Sequence, residues 1–181
     1  RDVERSRGLG DVYKRQSLIC NKPQNLFTLA NNQRNHCFAF EKDFIGDLRC
    51  IPLCVRRKLD LIGLKLKLYH WQSLTLEDKK KVLDWSDTTN ELLNLKIFLK
   101  NKTLNSKFGE AKEIKIASNQ PWQNKNEIPI NVWEAAQIRG IKLSNEKWQN
   151  LNELDRFAFC KLIKPSHEHQ NLDKAFSEIL N

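Results

Sequence analysis

No stretch of the sequence stays apolar for the roughly 18 residues that a membrane crossing takes. Only six of the 181 residues are glycine, and they form neither a glycine-rich phosphate loop nor the elbow of a nucleophilic serine. The five cysteines are odd in number and scattered, which excludes a dense disulfide framework and indicates free thiols in a reducing cytoplasm. These absences predict a soluble cytoplasmic protein without a common catalytic motif.

Positive charge is in excess, with 31 lysine and arginine residues against 22 acidic ones and a formal net charge of +9. A nucleic-acid interface usually gathers its charge on one face, whereas here basic and aromatic residues do not interleave along any one segment. A solvated lysine surface is therefore the favoured explanation. Nucleic-acid binding ranks as the third of three functional hypotheses.

Residues 51–79 and 128–156 are two copies of one motif, aligned without a gap at a constant offset of 77 residues. The identical pairs are Ile51/Ile128, Pro52/Pro129, Val55/Val132, Gly63/Gly140, Lys65/Lys142, Leu66/Leu143, Trp71/Trp148, Gln72/Gln149, Leu74/Leu151 and Asp78/Asp155. An internal repeat of this kind sets the architecture, because one unit alone has too little apolar face to fold in water.

Each copy predicts a helix, a glycine stop, a tryptophan turn and a second helix. Proline suits the first helical position, apolar residues follow at helical spacing, and Gly63 and Gly140 can take the positive φ that ends a helix. Thr75 and Asn152 then occupy helix-capping positions. The predicted fold is all-α, a small helical domain in which two packed copies share a core, and the pattern allows one or two short strands.

The segments between and around the copies carry weaker signals. Residues 37–44 alternate apolar and polar residues, which predicts a short strand or an extended arm. Asp87 is expected to cap a helix. Residues 104–127 are expected to form a hinge between the copies that includes a small helix or strand. An amphipathic helix, capped near Ser166 or Asn171, is expected after Pro165.

The first 36 residues differ in composition from the rest. Residues 1–16 hold four of the ten arginines and none of the 18 asparagines, and they resemble translated sequencing-adapter read-through. Residues 17–35 are polar and predict a loop or poorly ordered chain. We therefore expect residues 1–36 to be a non-native or disordered tail and residues 37–181 to form a single helical domain.

Two cysteines and two histidines are the candidates for a metal site. Cys50 and Cys54 lie four residues apart at a predicted helix start, whereas His167 and His169 are two apart and would have to bind from a loop. Zinc and cluster sites usually gather three or four ligands, and the second copy has no cysteines at the matching positions. Structural cysteines and surface histidines are the simpler interpretation. A Cys/His metal or cofactor site is the second hypothesis.

The first helix of copy one also carries charges that copy two lacks. Arg56 and Asp60 are four residues apart and are expected to pair on one helix face. Arg49, Arg56 and Lys58 could form an anion site, although a solvated helix face explains them as well. Because the shared positions supply what a folding unit needs, function is expected among the unshared ones.

The stretch FAFEKDFIGDLRCIPLCVRRKLDLIGLKLKLYHW, residues 38–71, resembles the opening of the proteins called nitrate reductase-associated. The likeness rests on Phe-x-Phe-Glu, Leu-Arg-Cys-Ile-Pro, Val-Arg-x-Lys-Leu-Asp, Gly-x-Lys-Leu and a tryptophan. A second stretch, RFAFCKLIKPSHEHQNL at 156–172, is similar to the closing segment of that family. The resemblance covers about residues 37–180, and it departs from the family at Ile62 and His169, where cysteine and asparagine are common.

The resemblance implies an accessory role, since the family takes its name from genes near nitrate reductase and molybdenum-cofactor genes and no reaction is established for it. The leading hypothesis is thus a non-enzymatic cytoplasmic accessory protein of nitrate assimilation, with no cofactor of its own and no membrane contact. It would bind nitrate reductase or a molybdenum-cofactor assembly protein. The expected contact residues are Arg49, Arg56, Lys58 and Asp60, joined by His167 and Glu168.

Overall fold

The computed structural model describes residues 36–164 and 170–180. The elements in chain order are a 3-10 helix at Ala39–Glu41, α1 Lys42–Ile45, α2 Leu53–Ile62, β1 Leu64–Lys65, α3 Leu68–Ser73, α4 Leu76–Asp84, α5 Thr89–Thr103, β2 Lys112–Glu113, a second 3-10 helix at Pro121–Gln123, α6 Ile130–Ile138, α7 Asn145–Asn150, α8 Glu153–Leu162 and α9 Gln170–Leu180. The two strands pair antiparallel, with Leu64 opposite Glu113. The prediction of a mostly helical domain with short strands is confirmed.

Both copies fold into the same order of helices, α2–α3–α4 in the first and α6–α7–α8 in the second. Gly63 and Gly140 follow the first helix of each copy with φ of 60° and 68°, the left-handed conformation that glycine adopts without strain. Thr75 and Asn152 each cap the last helix by accepting the backbone N–H three residues ahead, at 3.1 and 2.9 Å. The glycine stops and the caps are as predicted from the sequence.

Trp71 and Trp148 are the central side chains of the two copies, and both are completely buried. Each indole N–H donates to a backbone carbonyl that precedes its copy, Leu48 O at 2.7 Å and Asn124 O at 3.0 Å. The two tryptophans lie inside the short helices α3 and α7, so the predicted tryptophan turn is wrong in its local conformation. One helical turn directs the indole into the core and leaves the following residue exposed.

The likeness between the copies extends upstream of the motif. Each copy is preceded by a 3-10 helix that buries one aromatic side chain, Phe40 or Trp122. The last residue of each of these helices, Glu41 or Gln123, accepts the backbone N–H three residues earlier. This likeness escapes an ungapped comparison because α1 lengthens the connection in copy one. The prediction of a strand or extended arm at 37–44 is wrong, since Glu41 satisfies a backbone amide locally and favours a helical turn.

The copies contact each other through α2 and α8, and one hydrophobic cluster includes residues of both. Arg57 of α2 donates to Glu153 of α8 at 2.7 Å and to Asp87 at 2.5 Å. Helix α5 therefore begins after Thr88 rather than being capped by Asp87, whose carboxylate binds Arg57 instead. α2 also packs against α5, so it is the central helix of the fold.

The last helix, α9, packs against α8 and the first 3-10 helix. Its buried residues Leu172, Ala175 and Phe176 are spaced as on one helix face, which confirms the predicted amphipathic helix. The predicted cap near Ser166 lies outside the described residues, and the alternative cap at Asn171 is wrong because α9 already includes Gln170. Among the described helices, none combines the length and the apolar character needed to cross a membrane.

Candidate contact surface

Lys58 on α2, one of the predicted contact residues, is directed into the interior and is fully buried. Its Nζ donates to the carbonyls of Val82 and Leu83 at 3.1 and 2.8 Å, in the last turn of α4. Burial lowers the pKa of Lys58 to about 8, because the charged form loses its hydration. Lys58 therefore stabilises a helix C-terminus, and its burial excludes it from a contact surface.

Arg56 and Asp60 do not form the expected pair on α2. Arg56 Nε donates to the carbonyl of Ile51 at 2.9 Å, while Asp60 pairs with Lys161 of α8 at 2.6 Å. The reason is that α8 brings a cation to Asp60, while the carbonyl of Ile51 before the helix start binds the Arg56 side chain.

The described part of the chain shows no hydrogen bond or ion pair among Arg49, Arg56 and Asp60. Arg49 is exposed in the connection before α2. His167 and Glu168 lie outside the described residues. A contact role for Arg49, Arg56 and Asp60 stays a prediction.

Glu41, the glutamate of the Phe-x-Phe-Glu motif, is a buried carboxylate that caps α2 from a distance. Its Oε1 accepts the backbone N–H of Leu53 at 2.9 Å and its Oε2 accepts that of Phe38 at 3.2 Å. The residue before Leu53 is Pro52, which has no side-chain acceptor for the start of α2. Burial raises the pKa of Glu41 to about 7. This motif residue thus has a role in the fold.

The cysteines are arranged differently from the sequence-based proposal. Cys54 Sγ contacts Cys37 Sγ at 3.9 Å, whereas Cys50 is half-buried in the connection before α2. Within the described residues, no three His, Cys, Asp or Glu side chains form a group that could hold a metal ion. His167 and His169 lie outside those residues, so the Cys/His metal site stays a hypothesis.

One side of α6 is exposed although it is largely apolar. We call this side the α6 outer face, and it consists of Ile130, Trp133, Glu134, Gln137 and Ile138. Ile130, Trp133 and Ile138 expose 66%, 42% and 83% of their surface. The opposite side of the helix buries Val132, Ala135 and Ala136. The apolar residues therefore run around the whole helix, a pattern typical of a helix buried on all sides.

The equivalent side of α2 is covered. Its residues, at the matching positions of copy one, are Leu53, Arg56, Arg57, Asp60 and Leu61. Leu53 exposes 5% of its surface and Arg57 1%, and the others are half-buried. α8 supplies this cover, because its residues Glu153 and Lys161 pair with Arg57 and Asp60. The α6 outer face has no such cover in the part of the chain that the structure describes.

A groove of about 570 Å³ adjoins the start of α6. It is lined by the amide side chains of Asn119, Gln120, Gln123 and Asn124, by Glu127, and by Pro121 and Pro129. Pro129 directly precedes Ile130, so polar amides lie beside the apolar residues of the α6 outer face. The two features together make an apolar patch with a polar border.

The orientation of α6 is fixed at its C-terminal end by Arg139. The guanidinium donates to Asp173 of α9 and to the carbonyl of Ala135, and it lies 5.9 Å from the centre of the Phe176 ring. These contacts fix the C-terminal end of α6 against α9 and so fix the orientation of the α6 outer face. The sequence signal that could have revealed this face is the apolar character all around α6.

Almost all of the residues that the structure describes lie within the segment matched by one family model. The sequence model of a family described as conserved nitrate reductase-associated protein matches residues 37–179. The chain belongs to this family. No curated protein and no solved structure matches the chain. The nitrate reductase-associated match spans both copies, so the contrast between α2 and α6 falls within the matched region.

Proposed function

We propose that this chain is a non-enzymatic accessory protein of nitrate assimilation that binds nitrate reductase or a molybdenum-cofactor assembly protein through the α6 outer face. The family name supports nitrate reductase as a partner, and a molybdenum-cofactor assembly protein is the alternative that the sequence resemblance implies. The observation that carries the proposal is the exposure of Ile130, Trp133 and Ile138 on a helix whose counterpart in copy one is covered.

An exposed apolar patch with a polar border is the usual composition of a protein-binding site. Trp133 is a large, stiff side chain of the type that dominates binding energies, and two isoleucines flank it on the same side of α6. The amide-lined groove beside Pro129 supplies hydrogen-bonding groups at the border. Contiguous apolar patches on monomeric proteins often mark such sites.

The contact between α2 and α8 suggests the form of the partner. In copy one, an acidic residue at the start of α8, Glu153, meets Arg57 on the covered side of α2. The residue that matches Arg57 in copy two is Glu134, so the charge is inverted. We therefore expect the partner to place a helix across α6, with a basic residue opposite Glu134.

The buried ionisable side chains support a non-enzymatic role. Glu41 caps α2, Lys58 binds the end of α4, and Arg57 joins the two copies. His70 Nε2 lies 2.8 Å from the carbonyl oxygen of Gly109, which places it in a structural hydrogen bond. Glu41, Lys58 and His70 are committed to backbone atoms, and Arg57 is committed to the carboxylates of Asp87 and Glu153.

The test is capture of partners from nitrate-grown cells by the tagged chain and by two matched double variants. Trp133→Ala with Ile138→Ser removes the anchors of the α6 outer face. Leu93→Ala with Ile97→Ser changes another exposed apolar pair, on α5, where the side chains are 58% and 59% exposed. We expect the α6 variant to lose roughly tenfold or more in capture of nitrate reductase or a molybdenum-cofactor assembly protein.

The α5 variant should capture those partners as well as the unmodified chain does, and both variants should melt at nearly the unmodified temperature. Recovery of neither class of protein by the unmodified chain would overturn the proposed partners. Equal capture by the two variants would overturn the assignment of the α6 outer face.

A further inference from the structure

Two cysteines that are 17 positions apart in the sequence touch in the structure. Cys37 precedes the first 3-10 helix, Cys54 lies in the first turn of α2, and their sulfur atoms are 3.9 Å apart. A disulfide bond is about 2 Å long, so the sulfurs would have to approach by about 2 Å. Because Cys37 lies in a segment without regular structure, a small shift of that segment can supply the movement.

Two charged side chains stand near this pair. Glu41 belongs to the first 3-10 helix, and Lys58 lies one turn after Cys54 on α2. The hydrogen bond with Cys54 and burial together raise the pKa of Cys37 well above its usual range; Glu41 raises this pKa further and Lys58 lowers it. Cys37 therefore rests as a thiol, which is stable in a reducing environment.

The other described cysteines lack this arrangement. Cys50 and Cys160 are half-buried, and in the described ranges the Cys37–Cys54 contact is the one in which two sulfurs meet. Burial raises the pKa of Cys160 to about 12. These two positions provide matched controls, since they carry the same functional group without a neighbouring thiol.

We propose that Cys37 and Cys54 form a redox pair that a low-molecular-weight disulfide converts into a protein disulfide. The more accessible Cys37 loses its proton to solvent and attacks one sulfur of the oxidant, and one small thiolate leaves. Cys54 then loses its proton and attacks the Cys37 sulfur of the mixed disulfide, and the second small thiolate leaves. The protein dithiol gives up two electrons, and the oxidant is reduced to two thiols.

The bond would fasten the segment before the first 3-10 helix to the start of α2. The 3-10 helix that follows this segment is held by α9, because Glu178 accepts the backbone N–H groups of Ala39 and Phe40 at 2.7 and 2.9 Å. Oxidation thus adds a covalent bond between two parts of the fold that hydrogen bonds and packing hold together in the reduced protein. The oxidised protein should melt several degrees higher than the reduced protein.

The experiment treats the purified full chain with oxidised glutathione between pH 7 and 9, alkylates the remaining thiols and maps the peptides by mass spectrometry. We expect a Cys37–Cys54 disulfide that dithiothreitol reverses and that forms faster at higher pH, because Cys37 must first lose its proton. Cys50→Ser and Cys160→Ser variants should form it as the unmodified chain does. A Cys54→Ala variant should stop at a glutathione adduct on Cys37.

A bond from Cys37 to any cysteine other than Cys54 would contradict the pairing. So would a lasting glutathione adduct on Cys37 of the unmodified chain, or the absence of reaction at every pH. Cys54 is fully buried, and its replacement can impair folding. Cys37→Ser, at a half-buried position, serves as the second variant, and it should leave Cys54 unmodified under the same oxidation.

Discussion

Helices α2 and α6 occupy the same place in two copies of one motif, but α2 is covered on the side that α6 exposes. Leu53 at the start of α2 is 5% exposed, whereas its counterpart Ile130 is 66% exposed. The side chains that bring α8 onto α2, such as Arg57, are replaced in copy two by residues such as Glu134. Shared positions build each unit, and unshared positions decide which side of its first helix is covered.

Among the matched positions, we expect substitutions at Arg57 and Glu134 to differ most in their effect on the free energy of unfolding. Arg57→Met removes the cation that joins Asp87 and Glu153. Because both carboxylates are partly buried and lose this partner, the free energy of unfolding should fall by about 4 kcal/mol. Glu134→Met changes an exposed residue and should alter that free energy by less than about 0.5 kcal/mol. Urea denaturation of both variants measures the two changes in the free energy of unfolding. Equal changes would refute the expected difference between Arg57 and Glu134.

The next contrast concerns Glu41 and Gln123, which close the two 3-10 helices. The pKa of Glu41 is about 7 in the folded protein against 4.5 ordinarily, so the folded state holds its proton more tightly than the unfolded chain does. Stability should therefore fall as pH rises from about 4.5 to about 7, by on the order of 3 kcal/mol. Glu41→Gln, which gives copy one the uncharged residue of copy two, should remove this slope.

The measurement is urea denaturation at several pH values for the unmodified chain and the Glu41→Gln variant. A matching Gln123→Ala variant should keep the slope, because Glu41 remains. The same slope with and without Glu41 would show that other groups cause the pH dependence.

A smaller contrast is expected at the two glycine stops. Both have positive φ, so alanine at either position should cost about 1 kcal/mol in the free energy of unfolding. At Gly63 an added Cβ would also lie 2.5 Å from the carbonyl oxygen of Ile114, whereas at Gly140 nothing lies within 4 Å. Gly63→Ala should therefore cost about 2 kcal/mol or more. Thermal or urea unfolding compares the two, and a larger loss at Gly140 would contradict the structure.

The features that the sequence predicted correctly depend on local signals. Gly63 and Gly140 end helices because of their own conformational freedom, and Thr75 and Asn152 cap helices with their own side chains. Such signals act within a few residues, and each of them occurs once in each copy. The failed prediction at 37–44 is also instructive, since the alternation of Phe38 and Phe40 arises where a 3-10 helix begins.

The features that the sequence did not reveal depend on distant neighbours. Lys58 has the composition of a surface residue, and only the approach of α4 provides carbonyls for its buried ammonium group. Cys37 and Cys54 meet because the first 3-10 helix folds back on α2. The apolar character all around α6 can be seen in the sequence, but the exposure of Ile130 depends on the absence of a cover over α6 in the described residues.

The most direct test of this division between the copies is the stability of Leu53→Ala and Ile130→Ala, two truncations at one matched position. We expect Leu53→Ala to lower the free energy of unfolding by about 3 kcal/mol, because it empties a buried site. Ile130→Ala should change it by less than about 0.5 kcal/mol, because that side chain faces solvent. Similar losses from the two substitutions in urea denaturation would show that α2 and α6 do not differ in their cover.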